Sequence, residues 1–213
     1  MKTIVFDLDG TLVNTIDDIG NSMNLALRFY GLKEHDLKEY PNFMGKGVIN
    51  LTSCAIGFGN LNDDILYKVL NKYNEIYTEN CTYLSKPYDK MEEVLDTLLS
   101  KGYKLAVVSN KPDLETNKVV KHYFGDRFIY VSGAKSGVER KPHPQAMHNL
   151  LKALDLKMED IIYVGDSHFD ADFAINCGCP YFLFEYGYEQ SDILKSYKPI
   201  AFLPTASDLL KYF

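Results

Sequence analysis

The chain has 213 residues, with 23 lysines and arginines against 29 aspartates and glutamates, for a formal net charge of −6. That length suits one compact domain, or one domain carrying an insertion, and 46% hydrophobic with 24% charged residues is the make-up of a soluble globular chain. The acidic balance argues against nucleic acid and anionic membrane surfaces as partners, since both call for a basic face, and no apolar run approaches the ~18 residues of a membrane helix.

The first predicted strand, Thr3-Ile4-Val5-Phe6, ends at Asp7-Leu8-Asp9-Gly10-Thr11. This run turns acidic too early for the apolar centre of a signal peptide, so a cytoplasmic location is expected. The four cysteines (Cys54, Cys81, Cys177 and Cys179) are accordingly read as reduced thiols rather than a disulfide framework. From about Asn14 to Lys86 no convincing buried strand occurs. Apolar residues at helical spacing mark three helix faces there: Ile16 to Tyr30, Val48 to Ala55, and Ile65 to Tyr77. Tyr67, Tyr73, Tyr77 and Tyr83 are expected to pack this helical block, which is placed to act as a lid.

Beyond it, strands and helices alternate. Met91 to Leu99 reads as a helix stopped by Gly102, and Leu105-Ala106-Val107-Val108 as a strand ending at Ser109-Asn110-Lys111. Ser109-Asn110 also suits a helix N-cap ahead of Asp113. A helix through Val119 and Tyr123 precedes a weaker strand at Phe128-Ile129-Tyr130-Val131, and Met147 to Leu154 forms a further helix after Pro142 and Pro144. Ile161-Ile162-Tyr163-Val164 is a strand ending at Gly165-Asp166-Ser167. A helix through Phe169 and Phe173, a strand at Tyr181–Phe184 and a last short one near Ile200–Phe202 complete the chain. Short non-alternating apolar strands between helices predict an α/β fold, a doubly wound parallel sheet. Its polar strand ends then converge on one edge, where such sheets bind ligands.

That edge collects Asp7, Asp9, Asp166 and Asp170. Carboxylates so crowded repel unless a cation intervenes, and a hard divalent ion, magnesium, fits best. With a serine, a lysine and free backbone amides beside it, such a site is equipped for phosphoryl transfer. One aspartate can attack phosphorus while the other protonates the leaving alcohol and later activates water.

The sequence also resembles the haloacid-dehalogenase-like hydrolases. Asp7-Leu8-Asp9-Gly10-Thr11-Leu12 is similar to their D-x-D-G-T-L signature, Val107-Val108-Ser109-Asn110 to the second motif, Lys141-Pro142-His143-Pro144 to the third, and Gly165-Asp166-Ser167-His168-Phe169-Asp170 to the fourth. The resemblance implies a Rossmann-like core of residues 1–13 and 87–213, with an all-helical C1-type cap of residues 14–86. It implies Asp7 as nucleophile and metal ligand, and Asp9 as general acid/base with its carbonyl also on the metal. Ser109 and Lys141 would hold the phosphoryl group, with Thr11 and Asn110 as further contacts. Asp166 would bind Mg2+, with Asp170 and Ser167 in support.

Leu12 to Ile19 and the loop Phe43-Met44-Gly45-Lys46-Gly47-Val48 resemble phosphoglycolate phosphatases, with Lys46 as a candidate contact for an anionic substrate group. The expected partner is a small phosphorylated metabolite, and monomer and homodimer both stay open. A sugar phosphomutase, a pyrophosphatase or 5'-nucleotidase, and a non-catalytic binding protein on the same fold are the alternatives.

Overall fold

The computed structural model describes residues 2–57 and 59–213; Met1 and Phe58, which fall in the expected core and cap stretches, lie outside the described residues. Six parallel strands form the main sheet: β1 (Thr3–Phe6), β4 (Lys104–Pro112), β5 (Tyr130–Ala134), β6 (Ile161–Gly165), β7 (Tyr181–Phe184) and β8 (Phe202–Leu203). Their order is β5-β4-β1-β6-β7-β8. The chain winds outward from β1 in one direction and then the other, so the topological switch point lies at the carboxyl end of β1.

The strands are buried on both faces because their alternate residues feed two cores. Ile4, Phe6, Leu105, Val107, Ile162, Val164, Phe182 and Phe184 point into one. Val5, Ala106, Val108, Ile161, Tyr163, Tyr181 and Leu183 point into the other. Helices α4 (Met91–Ser100) and α5 (Asp113–Phe124) bury their apolar stripes in the first, and α6 (Gln145–Leu154) and α7 (His168–Cys177) in the second. This is the doubly wound arrangement that unbroken apolar strands demand.

Four details differ from the sequence reading; the last strand, read near Ile200–Phe202, is instead Phe202–Leu203. The strand read at Phe128 starts two residues later, because Phe128 leaves the ladder to pack edge-on against Phe6 and Phe124, and Ile129 is exposed. Strand β4 continues through Ser109-Asn110-Lys111 to Pro112, with an irregularity in its pairing with β5 after Val108. Ser109-Asn110 is therefore strand, and Pro112 occupies the N-cap of α5. Of the four tyrosines expected to pack the helical block, Tyr73 and Tyr77 are buried and stack at 5.2 Å, whereas Tyr67 and Tyr83 are exposed. Tyr73 and Tyr77 share a helical face with Val69 and Leu70, while Tyr67 faces away and Tyr83 lies beyond the helix.

The stretch inserted after β1 holds α1 (Ile16–Phe29), a 3₁₀ turn (Leu37–Phe43), α2 (Val48–Ile56) and α3 (Asp63–Asn80), packed mainly on one another. Its two connections to the sheet meet in an antiparallel ribbon of β2 (Val13–Asn14) and β3 (Lys86–Pro87), which pairs Val13 with Pro87 and Asn14 with Lys86. Two-residue strands carry too little pattern to be read from sequence. Buried Asp18 on α1 braces the returning connection: it accepts hydrogen bonds from Leu84 N (2.8 Å), Ser85 N (2.8 Å) and Ser85 Oγ (2.6 Å). The four cysteines are free thiols, and among the described residues no helix is long and apolar enough to cross a membrane.

Asp18→Ala strips those donors of their acceptor and is expected to lower unfolding stability by about 3 kcal/mol, read by urea denaturation. Asp17→Ala, on the exposed face of the same helix, should shift it by less than about 0.5 kcal/mol.

Candidate active site

Asp7 follows β1 directly, and its amide donates to Val164 O (2.9 Å), which ties it to the neighbouring strand β6. The chain then folds back sharply: Leu12 N donates to Leu8 O (2.9 Å) and Gly10 N to Val13 O (3.0 Å). Gly10 has φ +87°, and a Cβ there would lie 2.4 Å from Asp166 Oδ2. Glycine is needed both for the backbone angle and for the approach of the Asp166 carboxylate.

Three carboxylates, from Asp7, Asp166 and Asp170, bring oxygens within 4.8 Å of one another. Lys141 Nζ compensates part of that charge. It lies 2.7 Å from Asp170 Oδ1 and 2.9 Å from Asp7 Oδ1, and donates to Tyr163 Oη at 2.9 Å. Asp170 is saturated: it also accepts from Tyr163 Oη, from the Asp166 and Ser167 amides, and from Ser167 Oγ (2.6 Å), which caps α7 in return. Asp7 is not. The ammonium approaches its Oδ1 as an ion pair, off the angle of a hydrogen bond, and among the described residues that buried oxygen has no hydrogen-bond donor. Asp166 is held by Thr11 Oγ1 (2.6 Å) and Tyr188 N (2.9 Å).

The electrostatics follow from burial and crowding. Burial, against the opposing pull of Lys141, pushes the Asp7 carboxyl up to about 6. Burial and then the charges of Asp170 and Asp7 push Asp166 well above the carboxylate range. Burial works against the charges of Lys141 and Asp170 as well, but their mutual attraction wins, so Lys141 stays above and Asp170 below its ordinary value. One ammonium does not balance this cluster, and a cation placed among Asp7 and Asp166 would relieve it.

A cavity of about 420 Å³ opens over these groups. Of the residues singled out in the sequence, Asp7, Asp9, Ser109, Asn110, Lys141, Asp166, Ser167 and Lys46 line it. Thr11 is fully buried behind Asp166 and does not line it, and Asp170 stands behind Lys141. The Asn110 amide is engaged with backbone: it accepts from Lys141 N (2.9 Å) and donates to Lys141 O (3.0 Å) and Gly45 O (2.8 Å). It thereby fixes Lys141 and fastens the 43–48 loop to the sheet. A Cβ on Gly45, at φ +98°, would sit 2.3 Å from the Phe169 ring, so that loop seats directly on α7. Lys46 is exposed.

Several residues of the cavity wall had no role in the sequence reading, Lys111 and Tyr188 among them. Lys111 Nζ donates to Asp9 Oδ1 (2.9 Å) and Oδ2 (3.2 Å) and to the Tyr77 hydroxyl of α3. Tyr188 positions Asp166 through its amide and accepts from Thr15 N (2.6 Å) through its hydroxyl. Thr15 Oγ1 in turn donates to Asp9 Oδ1 (2.7 Å). His168 pairs with Glu189 and packs on Phe169.

With four separated stretches meeting at one switch point, the comparisons with known proteins agree on the class. The family model for haloacid dehalogenase-like hydrolase matches residues 4–184, and the chain belongs to that family. It is 32% identical to a phosphoglycolate phosphatase of Mannheimia succiniciproducens, covering 99% of this chain and 97% of the relative. Against the phosphoglycolate phosphatase of a Haemophilus influenzae strain the identity is 33%, with 88% and 87% covered. The crystal structure of a predicted phosphoglycolate phosphatase from Haemophilus somnus superposes with a TM-score of 0.92 at 32% identity, covering 100% of this chain and 97% of that one.

Asp170→Ala leaves Lys141 with Asp7 as its single carboxylate partner in a buried setting. It is expected to cost about 3–5 kcal/mol of unfolding stability, measured by urea denaturation of the metal-free protein.

Proposed function

We propose that the chain is a magnesium-dependent phosphoric monoester hydrolase of the cytoplasm. It acts on small phosphorylated metabolites of the phosphoglycolate kind through an aspartyl-phosphate. The observation that carries this reading is the meeting of Asp7, Asp9, Ser109, Lys141 and Asp166 on the wall of one cavity. The two relatives named phosphoglycolate phosphatases support the substrate class.

The Asp7 carboxylate attacks phosphorus, and the P–O bond to the alcohol breaks as Asp9 delivers a proton to the departing oxygen. Asp9 then takes a proton from water, whose oxygen attacks the same phosphorus, releasing inorganic phosphate and restoring Asp7. Lys141 and Ser109 hold the phosphoryl oxygens throughout, and Asn110 keeps Lys141 in place by bonding both its backbone N–H and its carbonyl. The donor set fits a hard cation: the carboxylates of Asp7 and Asp166 and the carbonyl of Asp9 would hold it, and Asp7 Oδ1 is a buried oxygen without a hydrogen-bond donor among the described residues. When bound, Mg2+ supplies positive charge against the phosphoryl oxygens. Asp170 serves to anchor Lys141, since its oxygens are already taken.

Residues 14–86 form the cap in this reading, hinged at the β2–β3 ribbon, over a core of 1–13 and 87–213. The loop at Lys46, fastened by Asn110 and seated on Phe169, closes the site.

A panel of phosphorylated metabolites assayed with and without Mg2+ tests the reading. Steady phosphate release without isomerised sugar phosphate is expected, and Asp7→Asn should lower it by about 1000-fold or more. Asp7→Asn retaining most of the activity rules out the covalent route. Separately, Mg2+ should raise the melting temperature of the metal-free protein at about pH 8, because Asp7 is then ionised. The Asp7 carboxyl, at about 6, takes up its proton below that pH, so the increment should fade as the pH falls through 6.

A further inference from the structure

Lys111 has no part in the steps above, yet its side chain is 2% exposed and faces the same cavity. It lies on β4 two residues beyond Ser109. Its ammonium bridges Asp9 on the sheet edge and the Tyr77 hydroxyl on α3, and it sits 4.7 Å from the centre of the Tyr77 ring. Two other charged groups of the cavity wall are paired as Lys111 is: Lys141 with Asp7 and Asp170, and Glu189 with His168. Lys46, on the 43–48 loop, is exposed, where water and salt screen it.

The direction of attack fixes what lies beside Lys111. Asp7 approaches phosphorus opposite the departing oxygen, and Asp9 must reach that oxygen to protonate it. The carbon group on that oxygen therefore projects past Asp9 toward α3. Lys111 stands in this gap, one contact from Asp9 and one from α3. A desolvated ammonium discriminates strongly between an anionic and an uncharged neighbour, and Tyr77 and Asp9 hold it too firmly to swing away from a substrate that does not suit it.

The geometry points to Lys111 as the specificity-determining residue that recognises a carboxylate on the leaving alcohol. The preferred substrate class is the phosphate ester of a small hydroxy acid, with Lys111, rather than the exposed Lys46, supplying the counter-charge. The inference rests on the hydrolase reading for its placement of the leaving group.

The test compares 2-phosphoglycolate with ethyl phosphate, an ester of similar size whose leaving group is uncharged, in wild type, Lys111→Gln, Lys111→Arg and Lys46→Ala. Wild type should prefer 2-phosphoglycolate. Lys111→Gln should lower kcat/KM for it by about 100-fold and for ethyl phosphate by less than about tenfold, while Lys111→Arg and Lys46→Ala keep most of the preference. Affinities of both esters measured by calorimetry in Asp7→Asn and in the double variant with Lys111→Gln should show the same loss for 2-phosphoglycolate alone. Equal losses for the two esters, a preference that survives Lys111→Gln, or one abolished by Lys46→Ala instead, overturns the assignment. If Lys111→Gln does not fold, loss of the preference in Lys111→Arg overturns it. If wild type turns over neither ester, the hydrolase reading falls, and the affinities alone decide whether Lys111 selects the carboxylate.

Discussion

The site depends on a buried lysine held between two carboxylates of unequal duty. Lys141 reaches Asp170 at 2.7 Å and Asp7 at 2.9 Å. Toward Asp170 the contact is an aligned hydrogen bond within a saturated shell; toward Asp7 it is charge alone. An ammonium so arranged stays fixed when Asp7 changes partner, because Asp170, Tyr163 and the Asn110 clasp on its backbone do not move with it. In the proposed mechanism, Asp7 then gives its oxygen to phosphorus without losing the cation beside it. Preorganised charge of this kind is the largest lever an active site has.

The carboxylate cluster also explains the tightness of the turn after β1. Bringing Asp166 against the Asp7–Asp9 loop requires a residue without a side chain at Gly10, and Thr11 and Tyr188 then donate to Asp166 from either side. Leu8 and Leu12 flank the turn and are fully buried, so the loop is fixed by packing as well as by hydrogen bonds. On the opposite wall of the cavity, the stacked Tyr73 and Tyr77 give α3 a rigid aromatic face above Asp9.

The parallel sheet and its active edge were legible because each buried strand ends abruptly in polar residues, a contrast that survives in one dimension. Asp7, Ser109 and Asp166 were read at such breaks, whereas Lys141, in the loop after β5, was read from the Lys141-Pro142-His143-Pro144 resemblance. The role of Lys111 was not legible: it reads only as the last residue of a polar strand end, and the continuation of β4 through Pro112 carries it into the cavity wall beside Asp9 and Tyr77. Its partner Tyr77 is 34 positions away in an element whose periodicity announces packing and nothing more. Asn110 and Thr11 were visible as polar residues near phosphate-binding motifs, but their duties toward backbone and toward Asp166 are set by contacts distant in sequence. The β2–β3 ribbon is two residues a side, below the length at which alternation says anything.

That ribbon makes the helical stretch behave, from the sheet's point of view, like a surface loop with adjoining ends. The chain departs at Asn14 and returns at Lys86, paired across one ladder, so whatever is spliced between them leaves the register of β1 with β4 and β6 undisturbed. Loop-closure entropy grows only with the logarithm of length. Helices can thus be added, deleted or exchanged in this stretch at little cost to the sheet, and the chemistry at its edge can be offered to new substrates by replacing the roof while the floor is kept.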